Sequence, residues 1–162
     1  MKNEELDKVM AVAQTWTQEP FDKETQEQVR AMMNAEDKTE LIDSFYRTLE
    51  FGTGGLRGIM GPGTNRMNKY IVAQATQGYA NYLLKVQAEN GFDHVQNGQV
   101  AVVVGHDCRN HGREFALTVA DVFAANGIKV YLFESLRPTP EVSFAIRHLH
   151  CQGGVNVTAS HN

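Results

Sequence analysis

The run Gln99-Val100-Ala101-Val102-Val103-Val104 constrains the fold more than any other stretch of the chain. Apolar residues without alternation describe a strand covered on both faces, as in a parallel sheet flanked by helices. Around it the period alternates. A helical stripe of Phe115, Val119, Val122 and Phe123 runs through 113–126 and stops at Gly127. Ile128 to Phe133 reads as a second buried strand. Pro138-Thr139-Pro140 opens a helix bearing Val142, Ala145, Ile146 and Leu149, and Gly154 to Val157 forms a third strand. Strand, helix, strand, helix, strand is the order of right-handed crossover units. The expected fold class is α/β, a mainly parallel mixed sheet flanked by helices.

Upstream, Asn68 is placed to cap a long helix from Lys69 to Asn90, with Ile71, Ala75, Tyr79, Tyr82, Leu83 and Val86 on one stripe and Gly91 as its stop. The first fifty residues read as three helices, over 4–16, 24–34 and 38–48. The last carries Leu41, Ile42, Phe45 and Leu49 on one face. The expected division is a helical extension over 1–49, packed on the domain, and an α/β domain over 50–162.

With 162 residues, 42% of them hydrophobic, the chain can build one ordinary core with a small appendage. Its net charge is −4, and Lys and Arg form no cluster, which argues against nucleic-acid binding and against a polybasic membrane patch. The opening MKNEELDKVM has no apolar segment of a secretory signal, and no stretch is long and apolar enough to span a bilayer. Two cysteines, Cys108 and Cys151, make no disulfide framework and suit a reducing compartment. The expected location is cytoplasmic.

In an open α/β sheet, function gathers at the carboxyl ends of the strands. Three loops qualify: 105–109, 134–137 and 158–162. The first glycine-rich stretch, Phe51-Gly52-Thr53-Gly54-Gly55-Leu56-Arg57-Gly58, is neither a dinucleotide fingerprint nor a P-loop, because Arg57 stands at the third glycine position and no phosphate-binding lysine follows. Two readings stay open for it: a backbone loop presenting the Arg57 guanidinium to phosphate, or a tight turn with a surface arginine.

Ser160 is also open to two readings. It lacks the G-x-S-x-G setting of a hydrolase nucleophile, and His161, adjacent on an extended backbone, is badly placed as its base. It either carries a phosphoryl group or caps a helix. His148, His150 and Cys151 offer no zinc-like spacing, and His106, Asp107 and Cys108 are consecutive, which is poor geometry for chelation. The pair Asp107 and Arg109 is expected to hold its loop rather than to react.

Taken together, four motifs resemble one family. Thr158-Ala159-Ser160-His161-Asn162 is similar to the phosphoserine loop of the α-D-phosphohexomutases, the phosphoglucomutase/phosphomannomutase superfamily. Phe51 to Gly58 is similar to its FGTxGxRG segment, Val104 to Arg109 to its VGxDxR segment, and Pro138-Thr139-Pro140 to its PTP segment. The extension before Glu50 and the stretch 50–68 look most like a longer-chain branch with phosphoglucomutase and phosphopentomutase members.

The resemblance implies an intramolecular phosphotransferase moving a phosphoryl group between the 1- and 6-positions of a hexose, glucose or mannose, through phosphoserine and a bisphosphate intermediate. Ser160 would be the catalytic phosphoserine. Arg57 would bind phosphate oxygens, and His161 and Asn162 would contact the transferring group and the sugar. One Mg²⁺ would sit on the phosphate of Ser160, with its other ligands outside this chain, and a glucose 1,6-bisphosphate-type compound would serve as activator.

Implied partners are a phosphosugar substrate and the remaining domains of the same enzyme, since the family's aspartate loop, sugar-reading loop and terminal phosphate-binding domain are not in this sequence. The chain is therefore expected to be the first of four domains, truncated at the phosphoserine loop. Alone it is expected to fold, to self-associate and to be inactive. Alternatives are phosphopentomutase or glucose-1,6-bisphosphate synthase activity, a non-catalytic sugar-phosphate-binding module, and a scaffold domain whose serine is only a helix cap.

Overall fold

The computed structural model describes residues 2–158, and the chain divides into two compact units, Met1–Ile71 and Val72–Asn162. In the first unit, helices α1 (Lys2–Thr15), α2 (Lys23–Asn34) and α3 (Thr39–Phe45) enclose a core of Val9, Ala13, Trp16, Val29, Met32, Leu41, Phe45 and Ile71. Trp16 organises it. Its ring stacks on Phe21 at 4.3 Å and meets the edges of Phe45 and Tyr70 at 5.6 and 5.7 Å. Such aromatic contacts add to the area they bury.

The entry to α2 is fixed by charge as well as by packing. Asp22 is its N-cap: Oδ1 accepts the Thr25 N–H at 2.9 Å. Oδ2 accepts the Tyr70 hydroxyl at 2.7 Å and faces the Lys69 ammonium at 3.0 Å. The Tyr70 hydroxyl, the Thr25 N–H and Lys69 all favour the charged form, so the carboxyl lies well below its ordinary value of 3.8.

Helix α3 is shorter than the expected 38–48. It ends at Phe45, and the following backbone groups find partners elsewhere: the Thr64 hydroxyl donates to Arg47 O at 2.6 Å, and Leu49 N–H donates to Thr64 O at 2.8 Å. Leu49 still packs against the core, from outside the helix. The segment 59–68 is then tied down in turn. Met67 N–H donates to Ile59 O, Gly61 N–H to Met67 O and Asn65 N–H to Ser44 O, at 2.8, 3.1 and 2.9 Å. Asn65 Nδ2 donates to Asp43 O at 2.8 Å, and Arg66 pairs with the Asp43 carboxylate at 2.6 Å. Gly63, at φ +130°, lies so close to α3 that a Cβ there would strike the Ser44 carbonyl and come within 2.9 Å of its Cβ.

A two-residue strand pair, β1 (Phe51–Gly52) and β2 (Gly55–Leu56), makes an antiparallel hairpin with Phe51 opposite Leu56. The long helix α4 (Lys69–Glu89) follows, and Asn68 caps it as expected, its Oδ1 accepting the Ile71 N–H at 3.0 Å. Gly91, at φ +70°, ends it by donating to Val86 and Gln87 carbonyls. The buried stripe of α4 differs from the expected one. Val72, Thr76, Ala80 and Leu83 are buried, Tyr79 is half-buried, and Tyr82 is 60% exposed. Tyr82 precedes Leu83 by about 100° of helix rotation, which carries it off the core face.

The second unit holds β3 (Ala101–His106), α5 (Gly112–Ala125), β4 (Lys129–Leu132), α6 (Thr139–His148) and β5 (Gly153–Val157). The three strands form a parallel sheet in the order β4-β3-β5, with Val104 opposite both Leu132 and Val155. All of β3 is buried, as its apolar run requires, and it extends through Gly105 and His106, which the sequence reading assigned to the loop. β4 is only half-buried, because it lies at an edge of this sheet rather than inside it. The architecture is α/β as expected, with the antiparallel strands confined to the separate hairpin.

Helices cover both faces. Tyr79 of α4 meets Phe123 of α5 at 5.8 Å and lies against Gly153, while Ile146 of α6 lies against Gly154. Successive strand residues face opposite sides, so α4 and α5 share one face and α6 has the other.

Two outcomes test this account of the first unit. Gly63→Ala should cost about 2 kcal/mol or more, since backbone rather than a flexible side chain obstructs the new Cβ. Denaturant unfolding followed by Trp16 fluorescence measures it, and a loss below about 0.5 kcal/mol would mean that the loop stands off from α3. Asp22 has a depressed folded value, so its contribution is present above pH 3.8 and is lost as pH falls below that. Wild-type Tm should therefore drop more steeply than that of Asp22→Asn in this range. Asparagine keeps the capping oxygen and loses the charge. Parallel curves would contradict the assignment.

Candidate functional site

From central β3 the chain moves to β4 on one side, then returns past β3 to β5 on the other. The carboxyl ends of β3 and β5 therefore flank a topological switch point, where α/β sheets place their ligands. Asp107 follows β3 and Thr158 follows β5. The two are joined: Asp107 N–H donates to Val157 O at 3.1 Å, and the Thr158 hydroxyl donates to Asp107 Oδ2 at 2.7 Å. Asp107 Oδ1 accepts Arg109 N–H at 2.9 Å, and the Arg109 guanidinium stands 3.9 Å from Oδ2. This agrees with a loop-holding role for Asp107 and Arg109.

The other strand end is fastened to the same place. Arg137 N–H donates to His106 O at 3.1 Å, drawing the loop after β4 towards β3. The Arg137 guanidinium pairs with Glu141 at 3.1 Å, and Arg113 donates to Glu134 O at 3.1 Å. In the Pro138-Thr139-Pro140 segment, Pro138 is the N-cap of α6, and Thr139 Oγ1 accepts Asn156 Nδ2 of β5 at 2.7 Å. Asn156 was not singled out by sequence reasoning. A polar residue inside a short apolar strand was the available signal.

Thr158 is the first residue of the Thr-Ala-Ser-His-Asn segment. Ser160, His161 and Asn162, with the phosphate and metal roles expected of them, lie outside the described residues.

Arg57 belongs to the first unit and directly follows the β1–β2 hairpin, whose turn is Thr53-Gly54. Its side chain is exposed and has no hydrogen bond or ion pair among the described residues. The other arginines are engaged: Arg30 with Thr17 O, Arg47 with Asn65, Arg66 with Asp43, Arg109 with Asp107, Arg113 with Glu134 O, Arg137 with Glu141 and Arg147 with Ser143. The hairpin is thus a tight turn that presents an uncommitted guanidinium. Phe51 and Ile59, the apolar residues flanking the turn, do not anchor it, as each is 68% exposed. Leu49 and Leu56 pack on the core instead, and a Cβ on Gly58 would lie 2.9 Å from the Leu49 methyls.

The histidines and cysteines separate. His148 stacks on Phe144, the His150 ring is 5.8 Å from His94, and burial pushes the Cys151 thiol up. Among the described residues, no group of three or more His, Cys, Asp or Glu is placed to hold a metal ion, and no helix is long and apolar enough to cross a membrane.

Known proteins share this organisation in sequence. The family model for phosphoglucomutase/phosphomannomutase, alpha/beta/alpha domain I, matches residues 48–162. A phosphopentomutase of Homo sapiens is 40% identical over 144 residues, covering 85% of this chain and 22% of the relative. A phosphoglucomutase of Staphylococcus epidermidis is 38% identical over 134 residues, 83% of this chain and 23% of the relative. A phosphomannomutase of Mycoplasma pneumoniae is 38% identical over 154 residues, 93% of this chain and 26% of the relative. The chain thus spans about a quarter of the length of these relatives. No solved structure matches it significantly. With the family model covering the β1–β2 hairpin, the parallel sheet and the crevice motifs alike, the chain belongs to the phosphoglucomutase/phosphomannomutase family, as an alpha/beta/alpha domain I.

Proposed function

We propose that the protein works in a phosphosugar mutase that moves a phosphoryl group between the 1- and 6-positions of a hexose, with Ser160 as the phosphoryl carrier. The observation that supports this reading is the seating of Thr158, the first residue of the Thr-Ala-Ser-His-Asn segment, on Asp107 at the switch point, the end of the sheet where ligands bind. Arg57 supports it as the guanidinium left without a partner among the described residues.

In this reading a sugar hydroxyl attacks the phosphorus carried by Ser160. A new phosphorus–oxygen bond to the sugar forms, the bond to Ser160 Oγ breaks, and the hydroxyl proton ends on Oγ. The resulting bisphosphate returns its other phosphoryl group by the reverse step. Such transfers need positioning and neutralisation of charge more than covalent chemistry, and Arg57 is suited to the second task by its bidentate fork. His161 and Asn162 are assigned to contact the transferring group and the sugar.

The described residues do not by themselves fit a Mg²⁺ ion. Asp107, the carboxylate beside Thr158, is occupied by the Thr158 hydroxyl and Arg109 N–H, and no acidic cluster adjoins it. Mg²⁺ on the phosphate of Ser160, with carboxylates supplied from beyond this chain, remains part of the proposal by resemblance alone, as do the bisphosphate activator and a cytoplasmic location. The proposal also includes the division at 49/50, further domains of the same enzyme as partners and self-association of the isolated chain. A second reading, pentose phosphate as substrate, is favoured by the relative named phosphopentomutase at 40% identity.

Kinetics of the full enzyme test the assignment. Ser160→Ala should abolish turnover at saturating bisphosphate, and near-normal activity would refute the carrier role. Arg57→Ala should raise the barrier by about 2–4 kcal/mol, the cost of losing one charged donor to a transferring group, with Trp16 fluorescence and Tm unchanged. A collapsed Tm with normal rates per folded molecule would return Arg57 to a structural role.

A further inference from the structure

His106 ends the central strand and is 4% exposed. Its Nδ1 lies 3.0 Å from Asp107 O. A carbonyl only accepts, so Nδ1 carries the hydrogen and donates it. Nε2 is buried and has no partner among the described residues. A buried ring nitrogen without a partner is a cost that a phenylalanine would not incur, so stability alone favours the apolar ring. What the histidine adds is the Nδ1 hydrogen bond.

That bond acts on the residue holding the crevice together. Asp107 gives its N–H to Val157 O and accepts from Arg109 N–H and the Thr158 hydroxyl through its carboxylate. Its carbonyl is pressed against the start of α5, where a Cβ on Gly112 would approach it to 3.2 Å. With the carbonyl fixed by His106, the peptide plane and the direction of the Cα–Cβ bond are fixed too, and the carboxylate is then held by Arg109 N–H and the Thr158 hydroxyl.

We propose that His106 is a positioning residue: through Asp107 it sets the placement of Thr158, the residue that begins the Thr-Ala-Ser-His-Asn segment. The kinetic part of this proposal rests on the mutase reading, and the structural part does not.

The full enzyme is compared with His106→Phe, which keeps a ring without the donor, and His106→Asn, whose Nδ2 can replace Nδ1. The phenylalanine variant should keep its Tm, exchange the Asp107 and Arg109 amide hydrogens about five-fold faster, as loss of one hydrogen bond permits, and lose about tenfold in kcat with KM unchanged. The asparagine variant should recover both. If the phenylalanine variant does not fold, His106→Leu serves as the variant without a donor. Wild-type exchange and kcat in that variant, or no recovery in His106→Asn, would overturn the proposal. A wild type without mutase turnover would sink the earlier reading instead, and amide exchange alone would then decide the link between His106 and Asp107.

Discussion

How closely helices can approach the β3–β5 pair controls the second unit. At Gly105 an added Cβ would lie 2.6 Å from Val142 Cγ2, and at Gly154 it would lie 2.6 Å from Ile146 Cδ1 and 2.9 Å from Val103 O. At Gly153 it would strike the Tyr79 hydroxyl on the opposite face. Side chains at these three positions would push α6 or α4 off the sheet. The register that sets Asn156 beside Gly105 and Val157 beside His106 would then lose its covering layers. The hydrogen bonds from Asp107 to Val157 and from Asn156 to Thr139 exist only because that register and that spacing hold.

Much of this was legible in the sequence. The unbroken apolar run could only be an interior strand, and caps at Asn68, Gly91, Pro138 and Gly127 marked where helices begin or end. What failed has physical causes. β4 looks like β3 in composition, and apolar content alone does not distinguish an edge strand from a central one. Tyr82 fitted a helical stripe only while the helix phase was uncertain by one residue. Phe51 and Ile59 are apolar yet exposed, and the backbone hydrogen bonds of 59–68 hold that segment instead.

The site was less legible than the fold. Resemblance to the family's motifs singled out Thr158 to Asn162 and Arg57, and the fold puts Thr158, the first of these residues, at the switch point. Neither the buried His106 nor its contact with Asp107 was visible. Residue type does not reveal whether a histidine at the end of a strand turns inward. Residue type also does not reveal that, among the described residues, Arg57 is the arginine whose side chain has no partner. Its planar fork forms paired hydrogen bonds to an anion and so loses less rotamer entropy per bond than an ammonium would.

The central claim is that Ser160 carries a phosphoryl group. Intact mass and peptide mapping of the full enzyme after incubation with glucose 1,6-bisphosphate and Mg²⁺, followed by removal of the bisphosphate, address it most directly. A single phosphoryl group per chain is expected, located on Ser160 and discharged to the sugar on addition of excess glucose 1-phosphate. Phosphate on another residue, or bisphosphate bound with no covalent modification at all, would contradict it.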